Sequence, residues 1–163
     1  YNGSAWISIS NPGTTTRFLP HSNNFAHFAG LQSLSSLALG SYVAMNNSDL
    51  VIDVPSGYSS NKVVIKWDTW GDVATSGAAN GSLRYLIKQT GTSSNTYNSV
   101  AMNGWATSGT SGTRFATPVT YILTDLAPGT YTFKLEISRE GELGTVSSIN
   151  NYQVSGSVQV FVK

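Results

Sequence analysis

The sequence predicts an all-β protein, an antiparallel jelly-roll β-sandwich, and three observations predict it. Tyr131, Phe133, Leu135 and Ile137 alternate with polar residues, and a period of two is that of a half-buried strand. Eight or more such short segments recur along the chain, separated by turns rich in Gly, Pro, Ser and Asn. No strong helical segment separates them, which excludes a parallel α/β fold.

The first residues are less regular than the rest. Residues 1–10 form a predicted short strand that Asn11-Pro12-Gly13 ends. We therefore assign residues 1–13 to an N-terminal strand, and residues 14–163 to a single jelly-roll domain. Apolar residues from Phe25 to Leu37 recur every three positions, which indicates a packed loop with one short helical turn near residues 24–35.

From Ser36 onward the strand signals are nearly continuous. Predicted strands centre on residues 37–45, 50–54, 63–68, 83–88, 119–124, 130–138 and 158–162. The segments between them, 71–82, 89–96 and 103–113, read as loops because they consist almost wholly of small and polar residues. Glu140 and Glu142 flank Gly141 in what reads as a hairpin turn.

Composition excludes several classes of function. Charged residues make up only 10% of the chain, against about 25% in a typical protein. The net charge is +1 and no basic run occurs, so we predict no nucleic-acid partner. No apolar stretch is long enough to span a bilayer, so we predict no membrane insertion. Cysteine is absent, which excludes disulfides and thiolate chemistry.

The residues available for catalysis are few. The two histidines, His21 and His27, lie in the irregular segment, and no serine sits in a nucleophile-elbow pattern. The acidic pairs Asp49/Asp53, Asp68/Asp72 and Glu140/Glu142 read as surface or turn charges. We therefore predict no enzyme, no metal site and no cofactor. A small hydrolase is the alternative, and it would depend on His21 or His27.

The aromatic residues are the most informative candidates for binding. Trp67 shares a face with Val63 and Ile65 and is predicted to be core. Aromatic rings among Asn, Ser and Thr can cover the apolar face of a sugar while amides and hydroxyls bind its hydroxyl groups. The candidate ligand contacts are Trp70, Trp105, Tyr58 and Tyr97. The alternative is that these rings cap the ends of the sandwich or pack against a neighbouring subunit.

A second set of residues predicts a subunit interface. Phe161, Ile122 and Leu86 are apolar but alternate with core residues, so they should point away from the domain core. Large apolar groups on that face need a covering surface, which a second subunit would supply. A second packing layer within the same domain is the alternative.

The last strands resemble a known family. The runs LTDLAPGTYTFKLEISREGELGTV and VQVFVK, with the opening YNGSAWISISNPGT, resemble the C1q/TNF-like trimeric jelly-roll heads of phage tail fibres. The resemblance implies a ten-stranded jelly roll, a homotrimer and a receptor-binding role toward cell-surface glycans or proteins. It implies a location on a virion surface or outside the cell, and for residues 1–13 it implies the end of a shaft as the alternative to a simple N-terminal strand.

These observations lead to one hypothesis and two alternatives. We predict a non-enzymatic receptor-binding head domain of a phage tail fibre that binds a host-cell-surface receptor, a glycan in the first instance. The alternatives are a monomeric carbohydrate-binding module of a secreted bacterial protein and a structural trimerisation or capsid decoration domain.

Overall fold

The structure is a computed structural model that describes residues 6–7, 17–19 and 25–163, with side chains from Phe25 onward. All regular elements of this part are antiparallel strands: β1 (Trp6–Ile7), β2 (Arg17–Leu19), β3 (Phe25–Ser33), β4 (Tyr42–Ala44), β5 (Leu50–Val54), β6 (Asn61–Gly91), β7 (Asn95–Thr124) and β8 (Gly129–Val162). No helix in the described residues has the length and apolar character needed to cross a membrane.

Three very long strands, β6, β7 and β8, organise the fold. β6 is central and pairs with β7 on one side and with β8 on the other. The outer side of β8 pairs in turn with the short strands β2, β3, β4 and β5. The β6–β8 register shifts repeatedly between Trp70 and Ser82, which is where irregular pairing lets a sheet bend.

The two halves of the bent sheet face each other. The Thr69 hydroxyl, in the first half of β6, lies 3.2 Å from the Tyr85 hydroxyl in its second half. The Trp67 indole donates to the Ser48 carbonyl at 2.9 Å, which joins the same two halves elsewhere. We call the half that holds residues 61–70 the front layer and the half that holds residues 82–91 the back layer.

The pairing order of the layers confirms a jelly-roll sandwich. Each of the three long strands contributes one half to each layer, and together with β3 and the segment 42–54 this gives eight half-strands when they are numbered along the chain from β3. In the front layer the order of neighbours is first, eighth, third and sixth. In the back layer it is second, seventh, fourth and fifth. Two four-stranded sheets in this order are a jelly roll. The half-strands are 25–33, 42–54, 61–70, 82–91, 95–103, 115–124, 129–139 and 150–162.

Much of the core consists of residues that the alternation predicts. Tyr131, Phe133, Leu135 and Ile137 are all buried, and so is Trp67. The same holds for the predicted inner faces of four other strands, which are Leu50, Ile52 and Val54; Val63 and Ile65; Leu83 and Ile87; and Val158, Val160 and Val162. The period-two patterns therefore identified the inner faces of these strands correctly. The predicted strand 37–45 is wrong for its first part, because only Tyr42–Ala44 is a strand and Leu39 is 55% exposed.

Several predictions about irregular segments are wrong. Residues 25–33 form the extended strand β3 rather than a helical turn, because their backbone pairs with residues 150–157 of β8. Residues 71–82 and 103–113 are not loops, since they lie within β6 and β7 and pair with each other through the bend. There Thr75 donates to the Gly109 carbonyl at 3.0 Å, so a threonine side chain supports backbone at the corner of the sheet.

The predicted hairpin at Glu140–Glu142 is also wrong. β8 runs through this segment without reversing, and Gly141 takes a left-handed conformation with φ of 58°. Glu142 is not a solvated turn residue. Its carboxylate accepts two hydrogen bonds from the Arg139 guanidinium, at 2.6 and 2.5 Å, and only 8% of its side chain is exposed.

Candidate functional site

The candidate site is an aromatic platform on the outer face of the front layer. Trp70 alternates with the buried Thr69 and Gly71 on β6, so its ring lies on the solvent side, where it is 38% exposed. The ring of Tyr152, from β8, lies 5.0 Å from it between centroids at a tilt of 45°. Tilted aromatic pairs at this distance attract each other, so the two rings form one surface.

A β-bulge brings Tyr152 to this position. Trp70 pairs with Gln153 and Gly71 pairs with Asn151, which leaves Tyr152 as an extra residue in β8. Asn151 is fully buried beneath the bulge. With its amide assigned the orientation in which the nitrogen faces backbone acceptors, it donates to the Trp70 carbonyl at 3.0 Å and to the Gln153 carbonyl at 3.2 Å. These bonds give partners to two backbone carbonyls at the bulge, where the regular hydrogen bonding between the strands is interrupted.

Gly71 leaves the space that the bulge needs. A side-chain carbon at this position would collide with the Asn150 carbonyl and with the ring of Phe115. Phe115 is buried and covers Gly71 from the core side. The platform is therefore held from beneath by core packing.

Asp72 fixes the polar rim of the platform. Its carboxylate accepts from the Tyr152 hydroxyl and from the Asn150 amide, both at 3.0 Å and one to each oxygen. The hydrogen bond to Asp72 raises the pKa of Tyr152 above its ordinary value, because the carboxylate stabilises the protonated phenol. The same hydrogen bond holds the Tyr152 ring in one orientation.

Arg114 completes the site from the other flanking strand. It lies directly across the sheet from Asp72, yet its guanidinium is placed over the Trp70 ring, 5.8 Å from the centroid. That is the geometry of a cation–π contact. Within the part of the chain that the structure describes, Arg114 forms no salt bridge, so its donors remain available at the edge of the platform.

The arrangement offers three kinds of contact to a ligand. It offers an apolar ring surface, hydrogen-bond donors from Arg114 and Asn150, and a carboxylate whose two oxygens are both engaged. A pyranose ring presents one apolar face and a rim of hydroxyl groups, which such a surface can cover and bind. The surface is open, because Trp70 lies on a sheet face and not in a cavity.

The other three predicted ligand contacts do not join this platform. Trp105 is 7% exposed and packs against Gly81, so the expectation of a surface ring is wrong. Tyr97 is half-buried, donates to Gln89 at 2.6 Å and lies 5.0 Å from the Tyr121 ring, where it closes one edge of the sandwich. Burial raises the pKa of Tyr97. Tyr58 is exposed in the turn after β5, at a notch whose lining includes Pro55 and Pro128 and no residue of the platform.

The predicted interface residues divide into two groups. Ile122 is 49% exposed and Phe161 is half-buried, and both lie on the outer face of the front layer as expected. Leu86 is 3% exposed in a single chain, so the expectation that it faces outward is wrong. It lies opposite an irregularity in β7, where residues 98–100 have no partner on β6.

The residues considered for catalysis are dispersed. His27 lies at the exposed edge of β3, with its Nδ1 atom 3.4 Å from the Ser155 hydroxyl, and His21 lies outside the described residues. Among the residues from 25 to 163, no group of three or more His, Asp or Glu side chains is arranged to hold a metal ion.

Sequence reasoning found Trp70 but missed its partners. The sequence alone predicts no contact of Trp70 with Tyr152, Asp72, Asn150 or Arg114. The missing signal is the bulge, because the register of two strands across a bulge cannot be read from either strand alone. The only hint is the dense polar run Asn150-Asn151-Tyr152-Gln153 within a segment otherwise typical of a strand.

Comparison with known proteins gives distant likenesses only. No protein-family model matches the sequence, and no curated protein matches it either. Among solved structures, the chain is similar to the structure of infectious bursal disease virus Gx strain, with 18% identity, a TM-score of 0.45 and 93% of this chain covered. The corresponding values for the Gt strain are 12%, 0.42 and 93%.

The chain spans only 35% and 40% of those two viral chains. A third structure, "Family 16 Carbohydrate Binding Module-2", is covered over 87% of its length and covers 99% of this chain, at 8% identity and a TM-score of 0.20. The C1q/TNF-like resemblance stays a prediction. The functional argument rests on the site itself.

Proposed function

We propose that this jelly-roll domain is a non-enzymatic glycan-binding domain, and that Trp70 and Tyr152 form its binding surface. The observation that carries the proposal is the tilted ring pair on an outer sheet face, bordered by Asp72, Asn150 and Arg114. The side chains that would contact a sugar are held by the bulge and by Asp72 before any ligand arrives. Preorganisation of this kind lowers the entropic cost of binding.

The state of the Asp72 carboxylate favours binding without hydrolysis. A glycosidase needs two carboxyl groups that act on the sugar from either side of the bond that it cleaves. Both oxygens of Asp72 instead accept hydrogen bonds within the protein, from the Asn150 amide and from the Tyr152 hydroxyl.

The finer proposal is a homotrimeric receptor-binding head on a phage tail fibre, displayed on a virion surface or outside the cell. Ile122 and its neighbour across the sheet, Val64, supply apolar surface at one end of the front layer. Val64 lies six residues from Trp70, or about 20 Å along the strand. Subunit packing at that end would leave the platform free, and three platforms on one rigid body would bind a cell surface with avidity.

A glycan-binding assay with two matched variants tests the proposal. Titration calorimetry against cell-surface polysaccharides would compare the native protein with Trp70→Ala and with Tyr58→Ala, which removes an equally exposed ring elsewhere. A ligand that covers about 80 Å² of the indole would lose about 2 kcal/mol, or roughly 30-fold in affinity, with Trp70→Ala. Equal affinities for the native protein and Trp70→Ala would refute the platform.

A structural role in assembly is the second candidate, and the exposed Ile122 favours it. Light scattering on a sizing column separates the possibilities. A solution mass near three times 17.3 kDa with glycan binding supports the receptor-binding head. The same mass with no glycan bound supports a trimerisation or decoration domain, and 17.3 kDa with binding supports a monomeric carbohydrate-binding module.

A further inference from the structure

The two edges of the sandwich are built differently. At the β7 edge, the rings of Tyr97 in the back layer and Tyr121 in the front layer lie 5.0 Å apart and close the gap between the layers. At the opposite edge, between β3 and the turn that follows β4, a cleft of about 480 Å³ remains. Pockets that bind small ligands range from about 300 to 1,000 Å³, so the cleft is large enough to hold one.

The turn that forms one wall of the cleft is held rigidly. The Gln32 side chain accepts from the backbone N–H of Asn46 at 2.9 Å and donates to the Ala44 carbonyl at 2.8 Å. Ser48 is fully buried, and its hydroxyl is 3.2 Å from both the carbonyl and the N–H of Leu135. The turn is therefore tied to β3 on one side and to β8 on the other.

This fixed turn presents two amide side chains. Asn46 and Asn47 are exposed and line the cleft, and Asn47 has a left-handed backbone with φ of 49°. Neither amide group is used in holding the turn, which relies on the backbone of Asn46 and on Ser48. Their donors and acceptors are available to a ligand.

The remaining lining is neutral in total and includes an aromatic residue. Asp49 and Lys134 form an ion pair at 3.3 Å, so neither sign of charge dominates the cleft. Phe25 lines the opposite wall with 73% of its side chain exposed, beside His27. An exposed ring, free amides and a paired carboxylate and ammonium group match a neutral ligand that has hydroxyl groups and one apolar face.

We propose that this cleft is a second binding site, for a neutral saccharide unit. Asn46 and Asn47 would bind its hydroxyl groups, and Phe25 would cover its apolar face. The site shares no residue with the Trp70–Tyr152 platform, so the inference stands whether or not the platform binds glycans.

Amide chemical shifts of the isotope-labelled native protein test the proposal. The probes are a panel of neutral mono- and disaccharides, each titrated to about 10 mM, where a site with a Kd near 1 mM is mostly occupied. We expect at least one sugar to shift the signals of residues 46–49. The indole N–H of Trp70 reports the platform separately, so the two proposals can fail independently.

Two variants establish whether the shifts arise from the cleft. Phe25→Ala removes an exposed ring, and Asn47→Gly removes the amide while glycine accepts the same backbone conformation, so both should fold. We expect affinity to fall at least 10-fold in the first and about 3-fold in the second, with Leu39→Ala, an exposed apolar residue elsewhere, unchanged. The proposal is overturned if no sugar shifts residues 46–49, or if both cleft variants bind as the native protein does.

Discussion

Replacement of Arg139 by Met should strongly destabilise the domain. Arg139 and Glu142 form a two-bond ion pair in which only 12% and 8% of the side chains are exposed. Arg139 also donates to the Ser35 and Leu37 carbonyls, at 2.5 and 3.2 Å, so it ties the segment before β4 to the bend of β8. The hydrogen bonds to Glu142 raise the pKa of Arg139, which keeps the guanidinium charged at any working pH.

The magnitude follows from what Arg139→Met leaves behind. The carboxylate of Glu142 would remain buried without a partner, and removing one member of a buried pair costs about 3–5 kcal/mol. In a domain of this size about 1 kcal/mol corresponds to 2–4 °C, so the melting temperature should fall by roughly 6–20 °C. Urea unfolding would measure the free energy of unfolding directly.

Two further variants make this test specific. Lys134→Met breaks the more exposed pair with Asp49 and should cost about 0–1 kcal/mol, as surface pairs do. In the double variant Arg139→Met with Glu142→Gln no buried charge remains, so part of the lost stability should return. A loss below about 1 kcal/mol in Arg139→Met would refute the reasoning, because it would mean that Glu142 reaches water at no cost.

Three other predictions concern the platform and the core. Gly71→Ala should lower the free energy of unfolding in urea by about 1–3 kcal/mol. Gly77→Ala should change it little, because a side-chain carbon at this position of the same strand would meet no other atom. Equal effects of the two substitutions would contradict the packing beneath the bulge. Asp72→Asn should lower the pKa of Tyr152, measured by NMR titration of labelled tyrosine, and an unchanged pKa would exclude the Asp72 contact. Burial raises the pKa of Tyr85, so the stability that the neutral phenol contributes is complete below pH 10 and is lost as the pH rises through the pKa of the folded state. Urea unfolding between pH 8 and 11 should show this decline in the free energy of unfolding. The decline should be smaller in Tyr85→Phe.

The core of this fold could be predicted from the sequence because burial alone determines the period-two pattern. Each residue from Tyr131 to Ile137 that the pattern assigns to the core is buried, and the same holds for the terminal strand. The corners could not be predicted. Residues 71–82 stay in the sheet because their backbone pairs with β7. Their small polar side chains are compatible with a strand but give no pattern from which a strand can be predicted.

The candidate site was predictable only in part, for the same reason. The alternation placed Trp70 on the outer face, and it does lie there. Trp105 reads as a loop residue from its small polar neighbours, yet Gly81 on the paired strand makes room for its ring in the core. That pairing depends on residues 24 positions apart, and no local pattern contains it.

Both proposed sites lie where regular sheet pairing is interrupted, and there is a physical reason for this. In an unbroken antiparallel ladder every second side chain is committed to the core, and the outward ones stand in fixed rows. The bulge at Tyr152 places an additional ring beside Trp70, and Asn47, with its left-handed backbone, lines the cleft at the open edge. Such irregularities need support from buried partners, which here are Asn151 beneath the bulge and Ser48 beneath the turn. Removing these partners should therefore weaken binding at each site separately, although neither residue would contact a ligand.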